Sequence, residues 1–233
     1  MLRIKTFNAK RKGRVKNFEI GQFIDRLLPK HIQDSLNKPK KDIGETYTNV
    51  TMLFADICGF TAFSSGKKPA EVVRMLSELF MDFDKECDNM GLFKLYTIGD
   101  CYVVLGFLDA EKRKSPPKEA ANVIRFGQIL IQIINKVRRK INFPGLNMRI
   151  GVHTGDIYGG VVGTDIVRFD IYGANVFAAN KMESGGEAGK ICVSEVTKRL
   201  LQGREGNKYK FEFNKEIFIK SMGKGLNSYF IKV

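Results

Sequence analysis

The order of apolar patterns along the chain restricts its fold more than any other feature. Strand-like runs and helix-like faces alternate over residues 49–57 (strand), 69–90 (helix), 92–97 and 102–107 (strands), 119–139 (helix) and 147–154 (strand). This order predicts an α+β fold, a ferredoxin-like βαββαβ core sheet with both long helices on one face. The second face of such a sheet then needs a cover of its own.

Weaker patterns after this core predict a C-terminal α/β extension. They comprise a short helix over 175–182, ended by Gly185-Gly186, and strand candidates at 191–193, 209–213, 216–219 and 229–233. Gly99-Asp100 and Gly155-Asp156 are each predicted to form the two-residue turn of a hairpin. We therefore expect a basic arm and lead-in helix over 1–45 and one domain over 46–233.

The net charge of +14 raises the question of an anionic partner. Half of that excess lies in residues 1–17, which carry seven basic side chains and no acidic one. Such an arm either contacts anionic lipid or nucleic acid, or is a solvated tail. A nucleic-acid-binding ferredoxin-like domain stays open as one interpretation, but we expect no nucleic-acid partner and at most weak membrane contact through the arm.

The content of metal-binding and apolar residues excludes other classes of protein. Four widely spaced cysteines and two histidines argue against a zinc site. No apolar run approaches the ~20 residues that span a bilayer. We expect reduced thiols and a cytoplasmic location, or the cytoplasmic face of a membrane if the chain belongs to a larger membrane protein. His31 and His153 lack a partner spacing and are interpreted as structural.

Two aspartates occupy positions where chemistry can occur. Asp56 ends the first buried strand, and Asp100 lies in the turn of the hairpin that pairs beside it in a ferredoxin-like sheet. Two converging carboxylates repel each other unless a cation joins them, and Mg²⁺ or Mn²⁺ is the matching hard ion. The pair therefore predicts a divalent-metal site for phosphoryl chemistry. Taken singly, Asp56 could instead cap a helix and Asp100 could be an ordinary turn residue.

A second group of residues suggests contacts with phosphate. Gly59, Phe60 and Thr61 open a short helix directly after the first strand, and backbone N–H groups at a helix start attract phosphate. Arg149, on a strand that alternates polar and apolar residues, could direct a guanidinium toward a polyphosphate. An ordinary turn and a surface-facing arginine remain the alternative interpretations.

Four segments carry a resemblance to the catalytic domain of class III nucleotidyl cyclases, the adenylyl and guanylyl cyclases. They are LFADICGFTAFSS (53–65), YTIGDCYVVLG (96–106), LNMRIGVHTGDIYGGVVG (146–163) and FDIYGANVFAANKMESGGEAGKICVS (169–194). The segment 25–29, DRLLP, also resembles the helix that leads into these domains. Of these motifs, FADICGFT and TIGDCY together are highly specific.

The resemblance implies an activity, cofactors and a partner. A nucleoside triphosphate, ATP or GTP, would cyclise to a 3′,5′-cyclic nucleotide and pyrophosphate in intracellular signalling. Asp56, Asp100 and the Ile57 carbonyl would hold two Mg²⁺ or Mn²⁺ ions, while Gly59–Thr61 and Arg149 would contact phosphates. A second cyclase domain, on the same polypeptide or another chain, would bury the second sheet face and complete the active site as a dimer.

Several residues depart from the family pattern and suggest which catalytic groups this chain supplies and which a partner domain supplies. Phe177 stands where a transition-state Asn belongs, Lys181 where an Arg belongs, and Met222 where a phosphate-binding Lys belongs. Tyr96 replaces a purine-reading residue, although Asp170 matches the adenine-type position. No catalytic set is complete in this chain, so we expect the metal-bearing half of a heterodimeric pair. The alternative is a catalytically inactive regulatory or dimerisation module.

Overall fold

The fold is described from a computed structural model of the chain. It describes residues 44–107, 109, 113–162, 168–205 and 208–232, together with 28, 32 and 33. The basic arm over 1–17, the remainder of the lead-in helix and His31 lie outside the described residues.

Strands and helices alternate through the described residues. The elements in chain order are β1 (Gly44–Cys58), α1 (Phe60–Ser65), α2 (Pro69–Asn89), β2 (Phe93–Ile98), β3 (Cys101–Leu105), α3 (Pro116–Lys140), β4 (Asn147–Val162), β5 (Arg168–Tyr172), α4 (Ala174–Ser184), β6 (Ile191–Ser194), α5 (Glu195–Glu205), β7 (Lys210–Ile219), a 3₁₀ turn (Lys220–Met222) and β8 (Lys224–Lys232).

The described strands form one sheet in the order β2-β3-β1-β4-β6-β8-β7, and β5 pairs with β4. Its first four members have the antiparallel order of a ferredoxin-like core. The remaining strands continue the sheet, with β6 parallel to β4 and the β7–β8 hairpin at the far edge. The predicted fold class, core and extension are confirmed.

Side chains that alternate along the central strands pack into two separate apolar cores, one on each face of the sheet. Leu53, Ala55 and Ile57 of β1 face the long helices and pack with Leu79 of α2 and Phe126 of α3. Burial of this face joins α2 and α3 to the sheet because it removes their apolar stripes from water.

The second face of the sheet is already covered in part by the chain itself. Met52 and Phe54 of β1 pack there with Phe169 of β5, Ala179 of α4 and Leu28. The resemblance implied that a second cyclase domain buries this face, whereas the chain's own residues cover part of it. β4 and β5 form a hairpin arm that packs on this face, because β5 carries the apolar side chains of Phe169 and Ile171. The sequence patterns did not predict β5.

One predicted hairpin does not form. β4 continues straight through Gly155-Asp156, because β1 pairs with it on both sides of that dipeptide. The irregularity lies in β1 instead, where Asn49 has a φ of 50°. Asp156 Oδ1 accepts a hydrogen bond of 2.8 Å from the Asn49 backbone N–H. The aspartate thus satisfies a bulge in the neighbouring strand rather than forming a turn.

Three further elements differ from the sequence-based expectation. β5 and α5 were not predicted, and the two strand candidates at 209–213 and 216–219 are one strand, β7, with a register shift between Phe213 and Glu216. Asn214 explains the continuity, since its side chain bonds the Gly185 carbonyl and Ser228 and so holds the irregular segment in the sheet.

Candidate active site

The two predicted metal-binding aspartates come together at one end of the second face. Ala55 of β1 pairs directly with Tyr102 of β3, which places Asp56 next to the β2–β3 turn that carries Asp100. Burial and then the negative charge of Asp56 raise the pKa of the Asp100 carboxyl. Mutual repulsion of this kind favours a bound cation. The structure therefore brings the pair together, as the sequence predicted, and their role as metal ligands stays a prediction.

Arg149 lies at the centre of this group of acids. It is the register partner of Asp56 across β1 and β4, and its Nη2 lies 3.1 Å from Asp56 Oδ2. Its Nε donates to Glu183 Oε1 at 2.5 Å. Phosphate contact by Arg149 stays a prediction; in this structure its guanidinium binds two carboxylates.

Glu183 is a site residue that the sequence analysis missed. It lies on α4, is 5% exposed, and approaches Arg149 because Gly151 of β4 leaves room for the helix backbone. A Cβ at Gly151 would lie 1.9 Å from the backbone nitrogen of Glu183. Burial raises the pKa of the Glu183 carboxyl, and the bond to Arg149 opposes that shift. The sequence does show an acidic residue directly after Met182, in the motif that contains Phe177. Its spacing, however, did not indicate a contact with Arg149.

A tight turn leads from Asp56 to the predicted phosphate-binding segment. Gly59 has a φ of 79°, and a Cβ there would lie 2.4 Å from the Gly145 carbonyl oxygen. Only glycine fits both conditions. Phe60 and Thr61 then begin α1, whose N-terminus has no side-chain cap among the described residues. The Ile57 side chain is buried in the helix-side core, so only its backbone could contribute to the site.

The residues at the aligned transition-state positions lie on the exposed face of α4. The Phe177 ring on α4 is 62% exposed, and Lys181 is exposed one helical turn later. Met222 packs against an apolar cluster of the extension. Asn175 does not replace the missing amide, because its Nδ2 donates to the Asp156 carbonyl at 2.8 Å and its Oδ1 bonds His153.

The two positions aligned with base recognition, Tyr96 and Asp170, both contact Arg168. The Arg168 guanidinium lies 4.7 Å from the centre of the Tyr96 ring and forms an ion pair of 2.5 Å with Asp170. Burial and then the charge of Asp170 raise the pKa of the Tyr96 hydroxyl. Asp170 is therefore occupied by a cation of its own chain rather than presented to a purine.

A buried polar network lies beneath the start of α4. His153 Nδ1 lies 2.7 Å from Ser194 Oγ, and His153 Nε2 lies 2.9 Å from Asn175 Oδ1. Because that amide oxygen can only accept, Nε2 carries the proton and Nδ1 accepts from Ser194. Ser194 is fully buried, so no substrate reaches this pair. The structural interpretation of His153 agrees with this environment.

The His153 network predicts a pH-dependent stability. Burial lowers the pKa of His153 below its ordinary 6.5, so the unfolded chain takes up a proton before the native one does. The free energy of unfolding should therefore fall below pH 6.5, by up to ~1.4 kcal/mol per pH unit from this residue. The contribution of His153 is measured by denaturant unfolding of wild type and His153→Gln at pH 7.5 and 5.5. Equal pH slopes for the two chains would contradict the assignment.

The donor set fits a metal site completed by substrate. Within the described ranges, no group of three or more His, Cys, Asp or Glu side chains could hold a metal ion alone. Two carboxylates with phosphate oxygens are, however, how Mg²⁺ is commonly held. Among the described helices, none combines the length and the apolar character that a membrane-spanning helix needs.

Comparison with known proteins identifies the family. The protein-family model for the adenylate and guanylate cyclase catalytic domain matches residues 43–233 of the sequence. The chain therefore belongs to this family of class III cyclase domains.

Individual relatives are consistent with that assignment. The chain is 37% identical to guanylate cyclase alpha of Plasmodium falciparum over 89% of its length, and 36% identical to a guanylate cyclase of Toxoplasma gondii over 97%. It spans only 5% of each of those proteins. The guanylate cyclase domain of RhGC from Catenaria anguillulae, solved with GTP, superposes with a TM-score of 0.69 at 25% identity, covering 81% of this chain and 98% of that one.

Proposed function

We propose that this chain is the metal-bearing half of a nucleotidyl cyclase. Together with a complementary cyclase domain it would convert ATP or GTP to a 3′,5′-cyclic nucleotide and pyrophosphate in signalling. One observation carries the proposal: Asp56 and Asp100 converge beside Arg149 on a chain whose aligned transition-state positions hold Phe177 and Lys181.

In this proposal, the chain's own residues bind and orient the triphosphate. Asp56, Asp100 and the Ile57 carbonyl hold two Mg²⁺ or Mn²⁺ ions, which when bound would stabilise charge on the phosphates and activate the attacking hydroxyl. The backbone of Gly59–Thr61 donates to phosphate oxygens, and Arg149 adds a guanidinium. Catalysis is then mainly positioning and electrostatic stabilisation of the reacting phosphate.

The remaining groups would come from the partner domain. Phe177 has no hydrogen-bonding atom, and Lys181 lacks the forked donor geometry of arginine. Since Arg168 stacks on Tyr96 and pairs with Asp170, we assign the choice of purine to the partner as well.

Exposed apolar side chains support the presence of such a partner. Tyr158 and Tyr172 are register partners in the β4–β5 arm, and each is 45% exposed. Phe177 and Val162 add further apolar surface. The neighbouring Tyr158 and Tyr172 form an exposed apolar surface of the kind that another protein covers, and a second cyclase domain is the occupant that an incomplete active site requires.

The same departures favour a second candidate, a catalytically inactive module of the same fold. Phe177, Lys181 and Met222 suit a domain that only pairs and regulates. It differs from the first proposal in having no use for a metal pair, so metal-dependent nucleotide binding separates the two.

A nucleotide titration makes this distinction. Because the proposed metal and phosphate contacts come from this chain, Mn²⁺ should tighten binding of a fluorescent triphosphate analogue by at least about tenfold, which corresponds to ~1.4 kcal/mol. The Asp100→Asn variant should lose that dependence. Equal affinity with and without Mn²⁺ would favour the inactive module.

A further inference from the structure

The ion-paired state of Arg149 has a consequence beyond phosphate binding. Its guanidinium contacts two acids through different nitrogens, Nη2 to Asp56 at 3.1 Å and Nε to Glu183 at 2.5 Å. The two acids are not equivalent. The Glu183 side chain is 6% exposed on a helix packed against β4, whereas that of Asp56 is 25% exposed at the end of a strand.

The anchored contact with Glu183 uses the one N–H that a guanidinium carries on Nε. Four N–H groups on Nη1 and Nη2 then remain for other acceptors. The contact with Asp56 uses Nη2 and involves the carboxylate that the proposed function gives to a divalent cation. A guanidinium and a divalent cation repel each other and compete for the same carboxylate.

We propose that Arg149 neutralises Asp56 until a divalent cation binds there, while Glu183 is a positioning residue that holds the arginine by its Nε. Release from Asp56 frees Nη2 to meet the phosphates of the incoming nucleotide beside the cation. Glu183 keeps the guanidinium within reach throughout. This inference rests on the proposed function, since it requires Asp56 to be a metal ligand.

The inference predicts that changing Arg149 and changing Glu183 have opposite effects on Mn²⁺ affinity. Arg149→Met removes the competing cation, so Mn²⁺ should bind about fivefold more tightly, the scale of a partly exposed ion pair. Glu183→Gln keeps an acceptor for Nε but removes its charge, which leaves Arg149 more firmly on Asp56. Mn²⁺ should then bind more weakly, by about threefold on the same scale.

The measurement is a titration of the full chain with Mn²⁺ alone, followed by the electron paramagnetic resonance signal of free Mn²⁺. Arg199→Met is the matched control, because it also removes one arginine from an ion pair, with Glu195 on α5, and should leave the affinity unchanged. Arg149→Met leaves Glu183 buried without its partner, so the double variant Arg149→Met/Glu183→Gln is measured as well. It should bind Mn²⁺ more tightly than Glu183→Gln alone.

The outcomes separate this inference from the proposed function. No Mn²⁺ binding by the wild-type chain would overturn the metal site itself. Wild-type binding that is lost in Asp56→Asn, with tighter binding in Arg149→Met and weaker binding in Glu183→Gln, supports the exchange. Wild-type binding that Arg149→Met and the double variant leave unchanged or weaken would overturn the exchange while the metal site stands.

Discussion

The isolated chain is expected to form cyclic nucleotide at least about a hundredfold more slowly than a mixture with a partner that supplies the missing donors, because one such donor is worth ~10²–10³ in rate. The partner can be made from the same chain. A donor variant would carry Tyr96→Lys, Phe177→Asn, Lys181→Arg and Met222→Lys, with Arg168→Gln to free Asp170 and Asp56→Asn to remove its own metal site. With Mn²⁺ and ATP, only the mixture should be active.

Each component serves as a control for the other. The unchanged chain alone lacks the donors, and the donor variant alone lacks Asp56, so neither homodimer should turn over. Robust turnover by the unchanged chain without a partner would refute the division of labour. A silent mixture of two chains that remain folded and associated would also count against it.

Removing either aspartate from the unchanged chain should greatly slow the activity of that mixture. Asp56→Asn and Asp100→Asn keep the size of the side chain but take away an anionic metal ligand. Since metal ions supply several kcal/mol of transition-state stabilisation, each change should cost roughly a thousandfold in rate. The assay measures pyrophosphate and cyclic nucleotide from the mixture under saturating Mn²⁺.

Asp82→Asn is the matched control for these variants. Asp82 is an exposed carboxylate on α2, outside the group formed by Asp56, Asp100, Arg149 and Glu183, and its loss should leave the rate unchanged. Near-normal activity of either Asp56→Asn or Asp100→Asn would show that the converging pair is not the metal site.

Local patterns were sufficient for the core of the fold but not for every turn. The apolar spacing predicted a helix over 69–90, and the structure has Pro69–Asn89. Gly99-Asp100 turns as expected, whereas Gly155-Asp156 does not, because its surroundings pair with a bulged β1 far away in sequence. A Gly-Asp dipeptide allows the backbone to turn, but whether a turn forms depends on pairing with strands that are distant in the sequence.

The candidate site was likewise only partly predictable from the sequence. Asp56, Asp100 and Arg149 could be singled out because their strands and turn are set by local pattern and core topology. Glu183 could not, since its contact with Arg149 depends on α4 packing directly on Gly151, 32 residues earlier in the chain. The pairing of Arg168 with Asp170 and Tyr96 likewise required the β4–β5 arm, which no sequence pattern revealed.

Anomalous diffraction from crystals of the chain, grown with its partner domain, Mn²⁺ and a triphosphate that cannot cyclise, gives the most direct view of where cations bind. We predict anomalous density bridging the carboxylates of Asp56 and Asp100, with Arg149 turned from Asp56 toward phosphate. Manganese found elsewhere, or bound by one of these aspartates without the other, would contradict the account.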